Sequence, residues 1–317
     1  MRRFAALALV LLLGIGAVAL VSAGGSEGEV TAIEAVDSSY SEPVAVSING
    51  YSGHAMEPFL TRDRRYLFFN NRNDPKDQTD LHVARRIEDT KFAYLGPLTS
   101  ANSLELDGVP SADVQGRFYF ISTRAYEASG NTLWTGQLQE TSVSGVRPLS
   151  TNFTPKKLLR LNIDMEISAD GDTLYVAENR WDLLRSVPAT SDIAMAQRVG
   201  DRFERLPNSD RLMRKINSTA LEFAPATSAD QLSLYFTRLD MKRLRKKRAD
   251  AFMVMVATRA DRQSPWGAPK RISAISGHVE APTVTPDGCA LYFHRNHAGT
   301  FGIYFTRRVG CRQPDPS

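Results

Sequence analysis

Apolar and polar positions alternate in short runs along this chain, and five of the runs share one pattern. They read EPFLTRDRRYLFF (57–69), GVPSADVQGRFYF (108–120), EISADGDTLYV (166–176), APATSADQLSLYF (224–236) and APTVTPDGCALYF (281–293). Period-2 alternation over so few residues predicts a strand. The aspartate that follows (Asp63, Asp113, Asp170, Asp230 or Asp287) predicts a tight turn, because its carboxylate can accept from backbone N–H groups nearby. A second strand then ends in an aromatic or β-branched cluster, as expected of a strand buried between layers. The aspartates are 50, 57, 60 and 57 residues apart. A near-constant period of this size means stacked supersecondary units.

Each hairpin is followed by a loop and a third strand, expected at Leu81–Arg85, Leu133–Leu138, Ile193–Gln197, Phe252–Thr258 and Gly302–Thr306. A fourth often follows, as at Phe92–Leu98. Four-stranded units of this length are propeller blades. The fold class is therefore all-β: a β-propeller of five four-stranded blades, or six if a degenerate blade lies in 138–165 or 198–220. The last repeat ends after its third strand, near Arg308. The segment Glu42–Ile48 resembles Gly267–Ile272, the fourth strand before the fifth repeat. The N-terminal strand is thus expected to complete the last blade, leaving no open edge.

The run of Pro, Ser/Thr-x-Asp-Gly, Leu-Tyr-Phe and Arg resembles the WD-like repeat of TolB-type β-propellers. The match is fullest at Pro282–Arg295 and partial at Met165–Arg180; the later Asp of the repeat matches at Asp80 and Asp192. The resemblance spans roughly 42–308 and implies a fold more than a function, since propellers host many activities.

Other features place the chain in the cell. Arg2 and Arg3 precede an uncharged apolar run, Phe4–Val21, and Val21-Ser22-Ala23 offers small residues for a signal peptidase. Residues 1–23 are expected to be a signal peptide, with an uncleaved anchor as the alternative. Then come a flexible lead (24–41), one propeller domain (42–311) and a tail (312–317). The expected location is exported, periplasmic or secreted. Membrane association would come only through an uncleaved N-terminal segment. The formal charge is +4; without Arg2 and Arg3, 37 basic side chains face 35 acidic ones, so the basicity mostly disappears. Two cysteines exclude a four-cysteine zinc site and a disulfide scaffold. Cys289 and Cys311 flank adjacent strands of the last repeat and are expected to pair.

Candidate chemistry clusters before each innermost strand, where a propeller exposes its channel. The residues there are His54 and Glu57; Asn102, Glu105 and Asp107; Asn162, Asp164 and Glu166; Asn217 and Glu222; His278 and Glu280. A polar type repeated in every blade is first expected to do one structural job five times. Two functional alternatives remain open: calcium or magnesium bound by oxygen-rich ligands in the channel, or acid–base work by a carboxylate pair on a glycosidic bond. Glu57, Glu105, Glu166, Glu222 and Glu280 are the catalytic candidates in that case. An arginine follows each second strand (Arg72, Arg124, Arg180, Arg238 and Arg295), and carboxylate pairing between adjacent blades is its expected role.

The loop Arg238–Arg248 (RLDMKRLRKKR) is intensely basic, with Lys242, Arg243, Arg245, Lys246, Lys247 and Arg248. With Arg180 and Trp181 it is expected to form a cationic, partly aromatic rim that attracts anionic polymers or acidic proteins. No Gly-x-Ser-x-Gly elbow, phosphate loop or His-Glu-x-x-His pair is present. The expectation is a monomeric, non-enzymatic binding scaffold without a resident cofactor. Its partner would be a protein or an anionic envelope polymer, not nucleic acid. The rival is a carbohydrate-active hydrolase or lyase.

Overall fold

The computed structural model describes residues 35–72, 78–152, 159–182 and 187–311. The expected signal (1–23), the first part of the lead and the tail (312–317) lie outside them. Among the described residues, no helix is long and apolar enough to cross a membrane.

Three short strands come first: β1 (Val36–Asp37), β2 (Val44–Ala45) and β3 (Ser47–Asn49). The first repeat unit holds β4 (Met56–Leu60), β5 (Tyr66–Asn70), β6 (Leu81–Glu88) and β7 (Lys91–Pro97). The second holds β8 (Asp107–Ala112), β9 (Arg117–Ser122), helix α1 (Tyr126–Ser129), β10 (Leu133–Gln139) and β11 (Ser142–Pro148). The third holds β12 (Arg160–Ile167), β13 (Thr173–Arg180), β14 (Thr190–Val199) and β15 (Arg202–Arg205). Helix α2 (Ser209–Met213) leads to the fourth: β16 (Leu221–Thr227), β17 (Ser233–Leu239), α3 (Met241–Arg245), β18 (Phe252–Thr258) and β19 (Lys270–Ile272). The fifth holds β20 (Val279–Val284), β21 (Ala290–His297) and β22 (Thr300–Arg307). Strands pair antiparallel in sequence order within each unit. The innermost strands β4, β8, β12, β16 and β20 are neighbours in cyclic order, with β20 beside β4. This is a β-propeller.

The turn aspartates do what their chemistry suggests. In four units a Ser or Thr hydroxyl two residues earlier donates to the aspartate (Thr61, Ser168, Ser228 and Thr285). In all five, the aspartate accepts from the backbone N–H two residues later. The second strands explain the Leu-Tyr-Phe endings. Alternate side chains point to opposite neighbours, so both faces must be apolar. Leu234 and Phe236 pack against the third unit, while Tyr235 packs against the fifth. Each such fully buried side chain is worth about 1.5–3 kcal/mol. Equivalent clusters join first to second, second to third, and fifth to first.

The N-terminal segment does more than complete one blade. β2 pairs antiparallel with β22, as expected for an outer strand. β1 adds in parallel to β19 of the fourth unit, and β3 adds in parallel to β7 of the first. Residues 36–49 therefore form a belt over three consecutive units. Part of what reads as flexible lead is structural: Tyr40 is buried, and its hydroxyl lies 3.0 Å from that of Tyr235. Cys289 and Cys311 are disulfide-bonded, with Cα atoms 5.7 Å apart.

Candidate functional site

Four innermost strands carry the same irregularity. Glu57, Val109, Ala224 and Ala281 have φ of 49°, 55°, 48° and 53°, a left-handed conformation that costs energy for a residue with a Cβ. Each stands directly before a proline (Pro58, Pro110, Pro225 or Pro282), and each coincides with a register shift against the second strand. These prolines, with Met165, Glu57 and Glu166, line a channel cavity of about 30 Å³, room for only a few water-sized groups.

The N–H of each bulge residue is held by a side chain of the preceding unit. Glu57 donates to His294 Nδ1 (3.1 Å), Val109 to Asn70 Oδ1 (3.1 Å), Ala281 to Thr237 Oγ1 (3.0 Å) and Ala224 to Asp164 Oδ2 (3.3 Å). Asn70, Thr237 and His294 occupy one position on their second strands, directly after the aromatic cluster. Sequence reasoning passed over it, although a polar residue closing the aromatic run in three of the five repeats was the available signal; Ile121 and Ala177 stand there in the other two. The third unit breaks the pattern. It has no proline in β12, its register shift lies at Asn162/Asp164, and its latch comes from the inner strand itself.

The carboxylates expected to form one ring divide into two sets. Asp107 accepts from the N–H and hydroxyl of Ser103 and from Arg124 at 2.5 Å. Glu222 repeats this with Ser218 and Arg238, the latter at 2.7 Å. These ion pairs lie within one blade, not between adjacent blades as expected. Glu166 sits further along the channel, bound by Arg62 (2.9 Å) and the Ser111 hydroxyl (2.6 Å). Glu105 is exposed. Asn102 and Asn217 clip the backbones of Leu81 and Ile193, each bonding both the N–H and the C=O. Asn162 is buried, and its amide atoms have no hydrogen-bond partner.

The second set gathers at the channel mouth. Ligand atoms of Glu57, Glu280 and His294 all lie within 4.8 Å of one another. His278 Nε2 is 2.8 Å from Glu280 Oε1, while His294 Nε2 stops 3.9 Å from Oε2. The His278 ring stacks on Phe252 with centroids 4.1 Å apart. Phe301 meets His278 and His294 edge-on, and its N–H donates to His54 Nδ1. Burial pushes the Asp164 carboxyl well above the usual range, and the charge of Glu280 adds to this against the pull of the Ala224 N–H. Burial also raises Glu280, but the hydrogen bond and charge of His278, with His294 nearby, bring it below its ordinary value. Burial lowers His294 to about 4.

A metal ion suits these residues poorly. With Nδ1 accepting from Glu57, neutral His294 must carry its proton on Nε2, the nitrogen that faces Glu280. It then offers a donor, where a metal ligand needs a lone pair. Any calcium or magnesium would rest on the carboxylates.

The rim differs from the expectation in its aromatic part. Trp181 is buried with Leu161, Ile163 and Ala177, so it offers no exposed ring. Arg238 is committed to Glu222, and Arg124 to Asp107 beneath the ring of Trp134. Arg295 lies over Phe293 and Tyr304, and Arg180 is exposed. Arg72 is half-buried. The basic loop is folded: Asp240 caps α3 through the N–H groups of Lys242 and Arg243, and Met241 and Leu244 pack on the core. Arg243 pairs with Asp240 and Asp250, and Arg248 pairs with Asp250. Lys242, Arg245, Lys246 and Lys247 are exposed; among the described residues the last three make no ion pair.

No family model matches the chain, and no curated protein matches it. Solved structures do. A family 117 glycoside hydrolase from Zobellia galactanivorans superposes with a TM-score of 0.53 at 11% identity, covering 89% of this chain and 94% of that one. The catalytic domain of a GH62 α-L-arabinofuranosidase from Coprinopsis cinerea gives 0.51 at 10% identity, covering 87% and 100%. TolB from Acinetobacter baumannii gives 0.44 at 11% identity, covering 80% of this chain but only 54% of that one, so the chain spans about half the length of TolB. At such identities the shared property is the fold, and the chain is similar to these proteins as a β-propeller.

Proposed function

We propose that this is an exported, TolB-like β-propeller that acts as a binding scaffold, engaging a protein or anionic envelope polymer through its channel-entrance face. The observation that carries this reading is the anchored cationic surface of α3. Its apolar side chains and its cap fix the loop, while Arg245, Lys246 and Lys247 face solvent without acidic partners. A flexible charge run would lose conformational entropy on binding; a folded one loses less. The matching experiment is retention on an immobilised anionic polymer at low salt. Replacing Lys242, Arg245, Lys246 and Lys247 with alanine should weaken it severalfold; equal retention would remove the role of the loop.

A second reading, a glycoside hydrolase or lyase, is favoured by one observation. The unit that breaks the repeat is the one that supplies Asp164, and environments push the Asp164 and Glu280 carboxyls in opposite directions, as acid and base require. Release of reducing ends from a polysaccharide panel, lost in Glu280→Gln and Asp164→Asn, is its test.

A further inference from the structure

We propose that an acidic polysaccharide lies across the entrance face of the third and fourth units, its carboxylate or sulfate groups held by arginines and lysines of both. The inference deepens the binding reading and rests on it: it names the polymer class and adds two sets of contacts to those of α3.

The first set is an arginine pair. Arg160 opens β12, Arg180 ends β13, and the two are Cα partners at the entrance end of their strands. Both side chains are exposed, and among the described residues neither has an ion pair. Like charges directly opposite on a sheet destabilise it. The pair therefore costs the fold something, and an anion between the two guanidinium groups would relieve that cost. The second set belongs to α2 and the turn after it. Arg211, Arg214 and Lys215 are exposed and likewise make no ion pair, while Leu212, Met213 and Ile216, interleaved with them, are buried.

The two sets and α3 share one surface. Arg180 is opposite Thr190 of β14, and the next residue, Ser191, pairs with Leu221 at the start of β16. Leu212, Met213 and Ile216 share a cluster with Met253 of β18, whose sulfur lies 3.4 Å from Nη1 of Arg243 in α3. Most acids nearby are already engaged: Glu178 and Asp210 by Arg205, Glu222 by Arg238, and Asp240 and Asp250 by Arg243. Asp182 and Asp192 are half-buried.

What the surface lacks points to its occupant. Among the described residues, none of the large exposed apolar side chains lies on these segments, and Trp181 is buried. A protein partner is expected to need aromatic anchors, a bilayer an apolar wedge, and a single-stranded nucleic acid stacking rings. A polyanionic sugar chain can be held by charge and hydrogen bonds alone. The guanidinium forks of Arg160, Arg180, Arg211, Arg214 and Arg245 each suit a pair of oxygens on a carboxylate or sulfate.

The test is fluorescence anisotropy of end-labelled probes with full-length folded protein at low salt. The probes are a trimer and a decamer of galacturonate, the same lengths of a sulfated oligosaccharide, and a neutral galactan decamer. Phosphatidylglycerol vesicles, an oligoglutamate peptide and single-stranded DNA compete. One acidic decamer should bind at least about tenfold more tightly than its trimer or the neutral decamer, and the preferred one tells carboxylate from sulfate. Arg160→Ala with Arg180→Ala should weaken it about fivefold, as should Arg211→Ala with Arg214→Ala and Lys215→Ala. Both should make the salt dependence shallower. The arginine-pair variant should unfold at an equal or higher urea concentration; a lower midpoint would make the pair part of the fold and overturn its role. Should the triple variant misfold, Arg211→Glu, expected to weaken binding, decides in its place. Unchanged decamer affinity in these variants, a trimer as tight as the decamer, or tighter binding of vesicles, peptide or DNA would overturn the proposal. Weakening on replacement of the α3 cations alone would overturn it and leave the α3 reading standing, whereas failure of the unaltered protein to bind any polyanion would overturn both.

Discussion

Glu57 donates its backbone N–H to Nδ1 of His294, 3.1 Å away and 237 residues distant in sequence. The bond joins the first unit to the last and fixes which imidazole nitrogen holds the proton. Asn70 and Thr237 do the same mechanical work at the equivalent position elsewhere. His294→Ala should therefore cost about 2–4 kcal/mol in urea unfolding, from the orphaned N–H and the cavity together. His294→Asn, which can still accept, should recover at least about 1 kcal/mol of it.

Acid should destabilise the fold through its buried histidines. Burial holds both His82 and His294 at about 4, below the ordinary value of 6.5. Between those pH values the unfolded chain binds more protons than the folded one. The stability they confer is complete above about pH 6.5 and is lost as pH falls toward 4. Urea midpoints at pH 7, 6, 5 and 4.5 should fall steadily, by an amount on the order of 2–3 kcal/mol per histidine at the acid end. A flat profile would contradict the burial of these rings.

Asp164 should act in the opposite sense. Its folded carboxyl titrates above the unfolded value, so the stability from its protonated form is lost as pH rises through the folded pKa. Asp164→Asn removes this titration. The variant should be more stable than the unaltered protein at pH 8, and its advantage should shrink as pH falls through the range where Asp164 takes up its proton. Equal stability at pH 8 would show that Asp164 ionises without cost.

The within-blade ion pair of Arg238 and Glu222 is tested by unequal removal. Arg238→Ala leaves a buried carboxylate held only by Ser218 and should cost about 3 kcal/mol or more. Replacing both partners, as Arg238→Met with Glu222→Leu, should cost markedly less, because no uncompensated charge remains. Equal losses in the two variants would contradict the account of the pair.

The repeat, the aspartate turns and the cysteine pair were legible because each depends on local chemistry: period-2 alternation, a side chain bonding its own turn, and two adjacent strands. The division of the carboxylates was not read, although its trace was present. Asp107 and Glu222 stand three residues before their prolines and meet an arginine of their own blade. Glu280 and Glu57 stand two and one before theirs and join the channel cluster. At a bulge, one residue of offset changes which face a side chain takes, so residues that look equivalent in the sequence are not equivalent in space. Trp181 was misplaced for a related reason: neighbouring charge suggested a rim, but Leu161 and Ile163 draw the indole inward.

The measurement that bears most directly on a binding role for the channel-entrance face is salt-dependent retention on an immobilised anionic polymer such as polygalacturonate. The unaltered protein and the variant lacking Lys242, Arg245, Lys246 and Lys247 would be compared, with equal unfolding midpoints confirmed first. The account predicts that retention falls steeply with added salt and that the variant elutes severalfold earlier at low salt. Indistinguishable elution of the two proteins, or retention insensitive to salt, would contradict it.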